Sequence, residues 1–247
     1  MDTFDILQMQ DHRTWKPPSG DWKYYQEWKD VIFLHWEVDE SELRRFVPGQ
    51  LTIDTFQGKA WMSVVAFKTQ GVRRRGAPPL PLLSNFYEVN IRTYVKNSYK
   101  DGIYFLNLEA SKFLSSVLTR FITELPYYYS TIESTVNMFK CVNSEKQSHL
   151  HIRYETETSP VQKTELDRWL TERYVLFQDG VDDIVEFNIH HIEWPLQKVK
   201  VDTLALSYPS YNFLLEGFPT RVGYSPGVQV LIWEKYKWHL SGQNARP

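Results

Sequence analysis

The clearest helical period in this chain stands among many strand-like runs: Phe113, Leu114, Val117, Leu118, Phe121 and Ile122 fall at three- and four-residue steps. The period starts at Ala110 and ends before Pro126, because a residue preceding proline is pushed out of the helical region. A chain with so little helix to offer must bury its apolar surface chiefly on sheet. Phe86 to Lys96 and Ile103 to Leu108 read as a hairpin across the Asp101-Gly102 turn signal. Further strands are predicted at Val31 to Val38, Leu51 to Asp54, Ala60 to Lys68, Ser134 to Val142, His149 to Glu157, Arg173 to Gln178, Ile184 to Ile192 and Gly227 to Lys237.

Asp39, with Glu42 three residues on, forms a capping box that opens a short helix through Leu43, Phe46 and Val47, which Pro48 ends. Helices are also predicted near Glu165 to Thr171 and, shorter, near Thr203 to Tyr208. Many strands interrupted by few helices give an α+β, barrel-like fold.

Residues 1–30 carry Trp15, Trp22, Tyr24, Tyr25 and Trp28 without a helical or strand period. They read as an irregular aromatic arm, laid on the domain surface or on a subunit partner, which leaves a homo-oligomer open. Residues 31–240 read as one domain and 241–247 as a tail, with no repeat or flexible linker between. Aromatics at 15% of the chain supply a core without disulfide or metal staples.

A formal charge of -2, from 28 basic and 30 acidic side chains, provides no counterion-release drive toward nucleic acid and no polybasic patch for a membrane. The apolar stretches are too short to span a bilayer. A single cysteine, Cys141, excludes an internal disulfide and a multi-thiolate zinc site. With no apolar leader after Met1, the expected location is the reducing cytoplasm. No motif asks for a cofactor.

Several segments together resemble the uncharacterised YqjF-like family of bacterial conserved proteins, within the acetoacetate decarboxylase-like superfamily. They are Phe33-Leu34-His35-Trp36, the run Val38 to Asp54, Val72 to Pro81, Asn90 to Val95, Glu172 to Phe177 and Trp194-Pro195-Leu196, so the likeness covers nearly the whole chain. It implies the α+β acetoacetate decarboxylase-like fold, a mostly antiparallel β-barrel or cone with a few flanking helices, and no established reaction. The more distant likeness to the decarboxylases runs through Asp39, Leu43, Arg44, Val47, Pro48, Leu51, Ile53 and Asp54, which are structural positions. Tyr87-Glu88 is similar to the stretch carrying one of their active-site glutamates, and Arg120 with Pro126 to the arginine and proline before their lysine pair.

Carried over without gaps, that lysine pair falls on Tyr127 and Tyr128. A Schiff base needs a neutral primary amine, and a phenol cannot form an imine. Lys112 faces away from Phe113, Leu114 and Val117 on the helical wheel, so it does not replace the missing amine. Ala60 to Gln70 lacks the family's second carboxylate, and an arginine expected in the first strand region is at best replaced by Lys29. What the resemblance leaves is a cavity without lysine chemistry.

Glu88 either points into that cavity, where burial would raise its pKa and suit it to proton transfer, or lies on a solvated face. Asn90 and Arg92 share its strand face by two-residue alternation and either line the same wall or form an exposed polar ladder. Arg120 either pairs with a ligand carboxylate or caps its helix and holds Glu124 or Glu88. Tyr127 is read with Glu88 as a catalytic pair, its phenol donating to a carbonyl or oxyanion, against a plain packing role.

Tyr128, His35 and Trp61 complete the ligand-binding set, with His35 also readable as a satisfied core histidine. His149 and His151 share a strand face, and His190 and His191 point apart. Neither pair has zinc-hydrolase spacing, so no metal is expected. Arg73 to Arg75 read as a solvated or loop-anchoring cluster, and Cys141 as an inert core thiol. The leading function is a binder of a small oxygenated organic molecule. The alternative is a lyase, hydratase or isomerase acting on a carbonyl or carboxylate without an imine.

Overall fold

The computed structural model describes residues 1–79, 84–112, 125, 127–180 and 183–239. The expected helix from Ala110, with Arg120 upon it, lies largely outside the described residues. The strands are β1 Tyr24–Val38, β2 Thr52–Ile53, β3 Ala60–Arg74, β4 Phe86–Lys96, β5 Asp101–Ala110, β6 Tyr127–Tyr129, β7 Thr131–Thr135, β8 Met138–Asn143, β9 Ser148–Pro160, β10 Val175–Asp179, β11 Asp183–His190, β12 Gln197–Ser207, β13 Arg221–Ile232 and β14 Tyr236–His239. The helices are α1 Thr3–Gln8, α2 Glu40–Leu43 with a 3-10 turn Arg44–Phe46 after it, and α3 Glu165–Thr171. No described helix is long and apolar enough to cross a membrane.

Strand pairing runs β11-β10-β5-β4-β3-β1-β13, and β13 returns to β11 through Ile232↔Ile189 and Leu231↔His190, so these strands form a ring. All its neighbours are antiparallel except β5 and β10. From β13 the sheet continues through β12, β9, β8 and β7. β12 touches β13 by one pair, Gln197↔Tyr224, and this outer sheet folds back over the ring.

The core between them holds Ile32, Leu34, Trp36, Met62, Val64, Val89 and Ile91 from the ring, against Phe139, Cys141, Leu150, Ile152 and Tyr154. Each fully buried aliphatic or aromatic side chain there contributes about 1.5–3 kcal/mol. The opposite faces of the same ring strands, Phe33, Val65, Phe67, Val228 and Val230, point inward with Trp194.

A bulge sets this inward face. Along β1 and β3 the register moves from Lys29↔Lys68 to Ile32↔Ala66, one extra residue on β1, with Asp30 at φ 51. A regular strand would send Trp28 and Val31 to opposite faces. The extra residue lets both line the interior. Gly227 opposes the bulge at φ 124, where a Cβ would stand 2.0 Å from the Trp28 carbonyl oxygen. Only glycine fits there.

The arm is more regular than its sequence suggests. α1 occupies Thr3–Gln8 and β1 begins at Tyr24 rather than Val31, because Ile6, Trp22 and Tyr25 find buried partners in Leu231 and Trp233. The helix expected near Thr203 to Tyr208 is instead the end of β12, paired with β9 from Gln197↔Pro160 to Ser207↔His149. Tertiary pairing overrides the local spacing there. Ser134 to Val142 is two strands, β7 and β8, about a turn at Val136-Asn137. Gly227 to Lys237 likewise divides into the end of β13 and the edge strand β14. Arg73 belongs to β3, its guanidinium 3.5 Å over the Tyr25 ring, and Arg75 pairs with Asp21.

Candidate functional site

Pairing register builds the site row by row. Phe67↔Glu88 forms one row across β3 and β4, Phe33↔Val65↔Asn90 the next across β1, β3 and β4, and His35↔Ser63↔Arg92 the third. Glu88, Asn90 and Arg92 therefore lie two residues apart on one inward face, and all three line an interior cavity of about 40 Å³. Aromatic walls come from Trp28, Phe33, Phe67, Phe105 and Trp194, with Trp28 and Trp194 stacked at 6.0 Å. The volume has room for roughly three waters.

Glu88 is 6% exposed. Asn90 Nδ2 donates to its Oε1 at 3.2 Å, and the Tyr127 hydroxyl donates to its Oε2 at 3.0 Å. Burial pushes the Glu88 carboxyl up to about 7, although the hydrogen bonds from Asn90 and Tyr127 and the charge of Arg92 pull it down. Burial also raises the Tyr127 phenol well above its usual value, reinforced by Glu88, so it stays a donor. A carboxyl poised near neutrality can hold or release a proton inside this wall.

β6 runs parallel to β5 with Leu108↔Tyr127 and Glu109↔Tyr128, so alternation turns Tyr127 inward and Tyr128 outward. The Tyr128 ring lies 4.3 Å beneath the Lys146 ammonium and is not on the cavity wall. Glu109, outward like Tyr128, accepts from Cys141 Sγ at 3.0 Å, Ser148 Oγ at 2.9 Å and Tyr208 at 3.2 Å. Cys141 is thus a buried thiol of the outer core, its pKa raised by burial and by Glu109.

His35 lies behind the wall, in the Arg92 row. Its Nδ1 is 2.6 Å from Ser63 Oγ, its ring stacks on Phe33 at 6.0 Å, and burial followed by Arg92 pushes its pKa down to about 3. It is a neutral core histidine. Trp61 is buried farther along β3 among Tyr94, Ile103 and Leu170, also off the cavity wall, its Nε1 without a partner among the described residues. Arg120 lies outside the described residues.

Arg173, Thr171 and His191 also line the cavity; the sequence marked none of them as a wall residue, and His191 was weighed only as a metal ligand. α3 carries Arg173 to the wall, where its Nε donates to the Trp169 carbonyl at 2.7 Å. Its Nη1 donates to Asp54 at 2.9 Å and Asp101 at 2.8 Å. Those partners are far apart in sequence, and the signal within reach was its place in the Glu172 to Phe177 segment.

No lysine is among the described residues that line the cavity. Lys112 instead donates its ammonium to the Ser84 carbonyl at 2.5 Å. Among the described residues, no group of three or more His, Cys, Asp or Glu is placed to hold a metal. The wall offers a protonatable carboxyl, a carboxamide and two guanidinium groups around an aromatic hollow, and the Tyr127 phenol, itself off the lining, reaches it through its hydrogen bond to Glu88. The described lining offers no amine for an imine.

A family model described as an uncharacterised conserved protein, DUF2071, matches residues 25–229. The uncharacterised protein YqjF of Bacillus subtilis (strain 168) is 34% identical over 232 residues, covering 90% of this chain and 95% of that protein. Among solved structures, acetoacetate decarboxylase from Legionella pneumophila aligns at TM-score 0.62 with 11% identity, over 96% of this chain and 95% of its own. The enduracididine biosynthesis enzyme MppR complexed with pyruvate aligns at TM-score 0.58 with 10% identity, over 92% of this chain and 93% of its own. At such identities these structures establish a shared fold.

Proposed function

The chain belongs to the DUF2071 family of uncharacterised conserved proteins and has the acetoacetate decarboxylase-like fold, and from that premise we propose that it binds a small oxygenated organic molecule inside the strand ring without capturing it through nitrogen. The ring acts as a closed barrel around the hollow, and the protein works in the cytoplasm. One observation carries this reading: Glu88, held by Asn90 and Tyr127, faces a cavity whose described lining residues include no lysine. Support also comes from MppR, a protein of the same fold solved with pyruvate. A hollow of about 40 Å³ suits a ligand far smaller than the usual drug-sized guest.

The protein is to be incubated with pyruvate or acetoacetate and borohydride, then digested and mapped by mass spectrometry. No lysine should carry an adduct. A trapped Lys112 overturns the imine-free reading. In parallel, saturation-transfer NMR with pyruvate, acetone, acetate and acetamide tests occupancy. Binding of at least one, lost when Asn90→Leu removes the polar wall, supports the binder; binding of none overturns it.

The raised Glu88 favours a second reading, a lyase, hydratase or isomerase in which Glu88 moves a proton and Tyr127 steadies an oxyanion. Turnover of a bound compound, abolished by Glu88→Gln while binding persists, supports the enzyme. Turnover that survives the substitution removes it.

A further inference from the structure

Two buried guanidinium groups stand in the wall of the same cavity, and each has a nitrogen without a partner. Arg92 is 8% exposed and Arg173 4% exposed. Arg92 Nε and Arg173 Nη2 have no hydrogen-bond partner among the described residues, and neither does Asn90 Oδ1. Leaving a buried polar group unsatisfied is unfavourable, more so when it is charged. Such a wall is incomplete without something that accepts hydrogen bonds.

The charges around the two arginines differ. Arg173 is neutralised by Asp54 and Asp101, and its guanidinium lies over the Trp169 ring at 4.3 Å. Among the described residues Arg92 has no such pair. The carboxylate acting on it is Glu88, which burial keeps partly protonated at neutral pH. Arg92 otherwise has the Tyr94 hydroxyl as a hydrogen-bond partner, the like charge of Arg173 nearby, the Phe33 ring at 5.8 Å and neutral His35. The interior is therefore short of one negative charge at the Arg92 end.

The cavity is also two-ended. Glu88 and Arg92 are four residues apart on β4, roughly 13 Å between Cα atoms at strand rise. The Glu88 end carries proton-sharing groups, the Arg92 end carries guanidinium donors, and Phe33, Phe67, Trp28 and Trp194 enclose the middle.

Given a small-molecule ligand in this cavity, as proposed above, we infer that the ligand is a short-chain monocarboxylate whose carboxylate lies against Arg92 and the unpaired edge of Arg173. Guanidinium groups fit a planar carboxylate with paired hydrogen bonds. The apolar walls take the short chain, and Glu88 with Tyr127 takes a second oxygen at the far end when the ligand has one.

The test compares propionate with its neutral isostere propionamide by calorimetry and ligand-observed NMR, on the wild-type chain and on Arg92→Gln. Propionate should bind at least about tenfold more tightly than propionamide. In Arg92→Gln, propionate should lose that advantage while propionamide binding is unchanged. The ligand-free variant should melt no lower than wild type, because an unpaired buried cation has been removed. A lower melting temperature with propionate binding intact assigns Arg92 a structural role and overturns the inference. Equal binding of propionate and propionamide overturns it too, and leaves small-molecule binding standing. Failure of both compounds, together with pyruvate, acetone, acetate and acetamide, overturns the proposed function and this inference together.

Discussion

The Tyr127 hydroxyl donates to Glu88 Oε2 at 3.0 Å, joining β6 to β4 across the upper edge of β5. The bond stabilises the charged form of Glu88 and so opposes the upward pull of burial. Tyr127→Phe removes the donor and nothing else of that shape. The Glu88 carboxyl should then titrate above its present value of about 7, read from the side-chain carboxyl carbon by NMR. Global stability should fall by about 1–2 kcal/mol. An unchanged titration would place Tyr127 in packing alone.

Glu88 links the cavity to the pH dependence of folding. Its folded value of about 7 lies above the ordinary glutamate value of 4.5, so between them the native state holds a proton that the unfolded chain releases. The stability from protonated Glu88 is fully present below pH 4.5 and is lost as pH rises through 7. Glu88→Gln keeps the neutral shape at every pH. Relative to wild type it should gain stability on going from pH 5 to pH 8, by an amount on the order of 3 kcal/mol in urea titrations. A constant difference across that range would mean that Glu88 is not raised.

The frame was legible where alternation and turn chemistry agree. The β4–β5 hairpin is present, but its turn is Asn97 to Lys100, where Asn97 Oδ1 accepts from the Tyr99 and Lys100 amides, and Asp101 and Gly102 already pair within β5; the Asp39 cap opens α2 with its side chain accepting from the Glu42 amide. Two-residue alternation also places Glu88, Asn90 and Arg92 on one face, but only strand pairing decides that the face is inward. Tyr128 was not separable from Tyr127, because the parity of a strand relative to a cavity depends on its partner's register. Arg173 was invisible as a wall residue because Asp54 and Asp101 reach it through the fold. The β1 bulge at Asp30 is likewise set by Gly227, nearly two hundred residues away.

That bulge can be tested from its far side. A Cβ on Gly227 would stand 2.0 Å from the Trp28 carbonyl oxygen and 2.9 Å from Lys29 Cα, both backbone atoms that cannot swing aside. Gly227→Ala must push β1 away from β13 and move Trp28 out of the cavity wall. The loss should be large, about 3 kcal/mol or more. Gly223→Ala on the same strand meets only ordinary contacts with Phe33 at 3.8 Å and serves as the control. Equal effects of the two would remove the bulge from the account of the site.

Arg173 joins three elements: Asp54 after β2, Asp101 at the head of β5 and the Trp169 carbonyl in α3. Arg173→Met leaves Asp54 with Lys96 at 3.3 Å as its remaining ion pair, and strips Asp101 of this partner. Breaking a buried pair from one side typically costs about 3–5 kcal/mol. Asp101 is partly exposed, so its share is small and the lower end of that range applies. The double change Asp54→Asn with Arg173→Met should recover part of the loss, because it no longer leaves an uncompensated carboxylate. No recovery would mean that Arg173 acts through packing on Trp169 and Tyr94.

His190 ties the N-terminal arm to the ring and makes that contact sensitive to acid. Its Nε2 donates to the Ile6 carbonyl at 2.8 Å, and with Nε2 protonated its Nδ1 accepts from Arg13 Nη1 at 3.0 Å, so both ring nitrogens are committed in the neutral form. Burial first, then Arg13 and His12, push its pKa down to about 4. A second proton would point at the Arg13 guanidinium. Because the folded value lies below the ordinary histidine value of 6.5, the unfolded chain binds the proton first. The stability is fully present above pH 6.5 and is lost as pH falls through 4. Wild-type stability should therefore fall more steeply than that of His190→Gln between those limits, by up to about 1.4 kcal/mol per pH unit for the one proton. The arm should loosen first, seen as faster amide exchange at Ile6 before exchange in the ring strands rises. Parallel pH profiles for the two proteins, with Ile6 still protected, would show that the arm does not respond to His190.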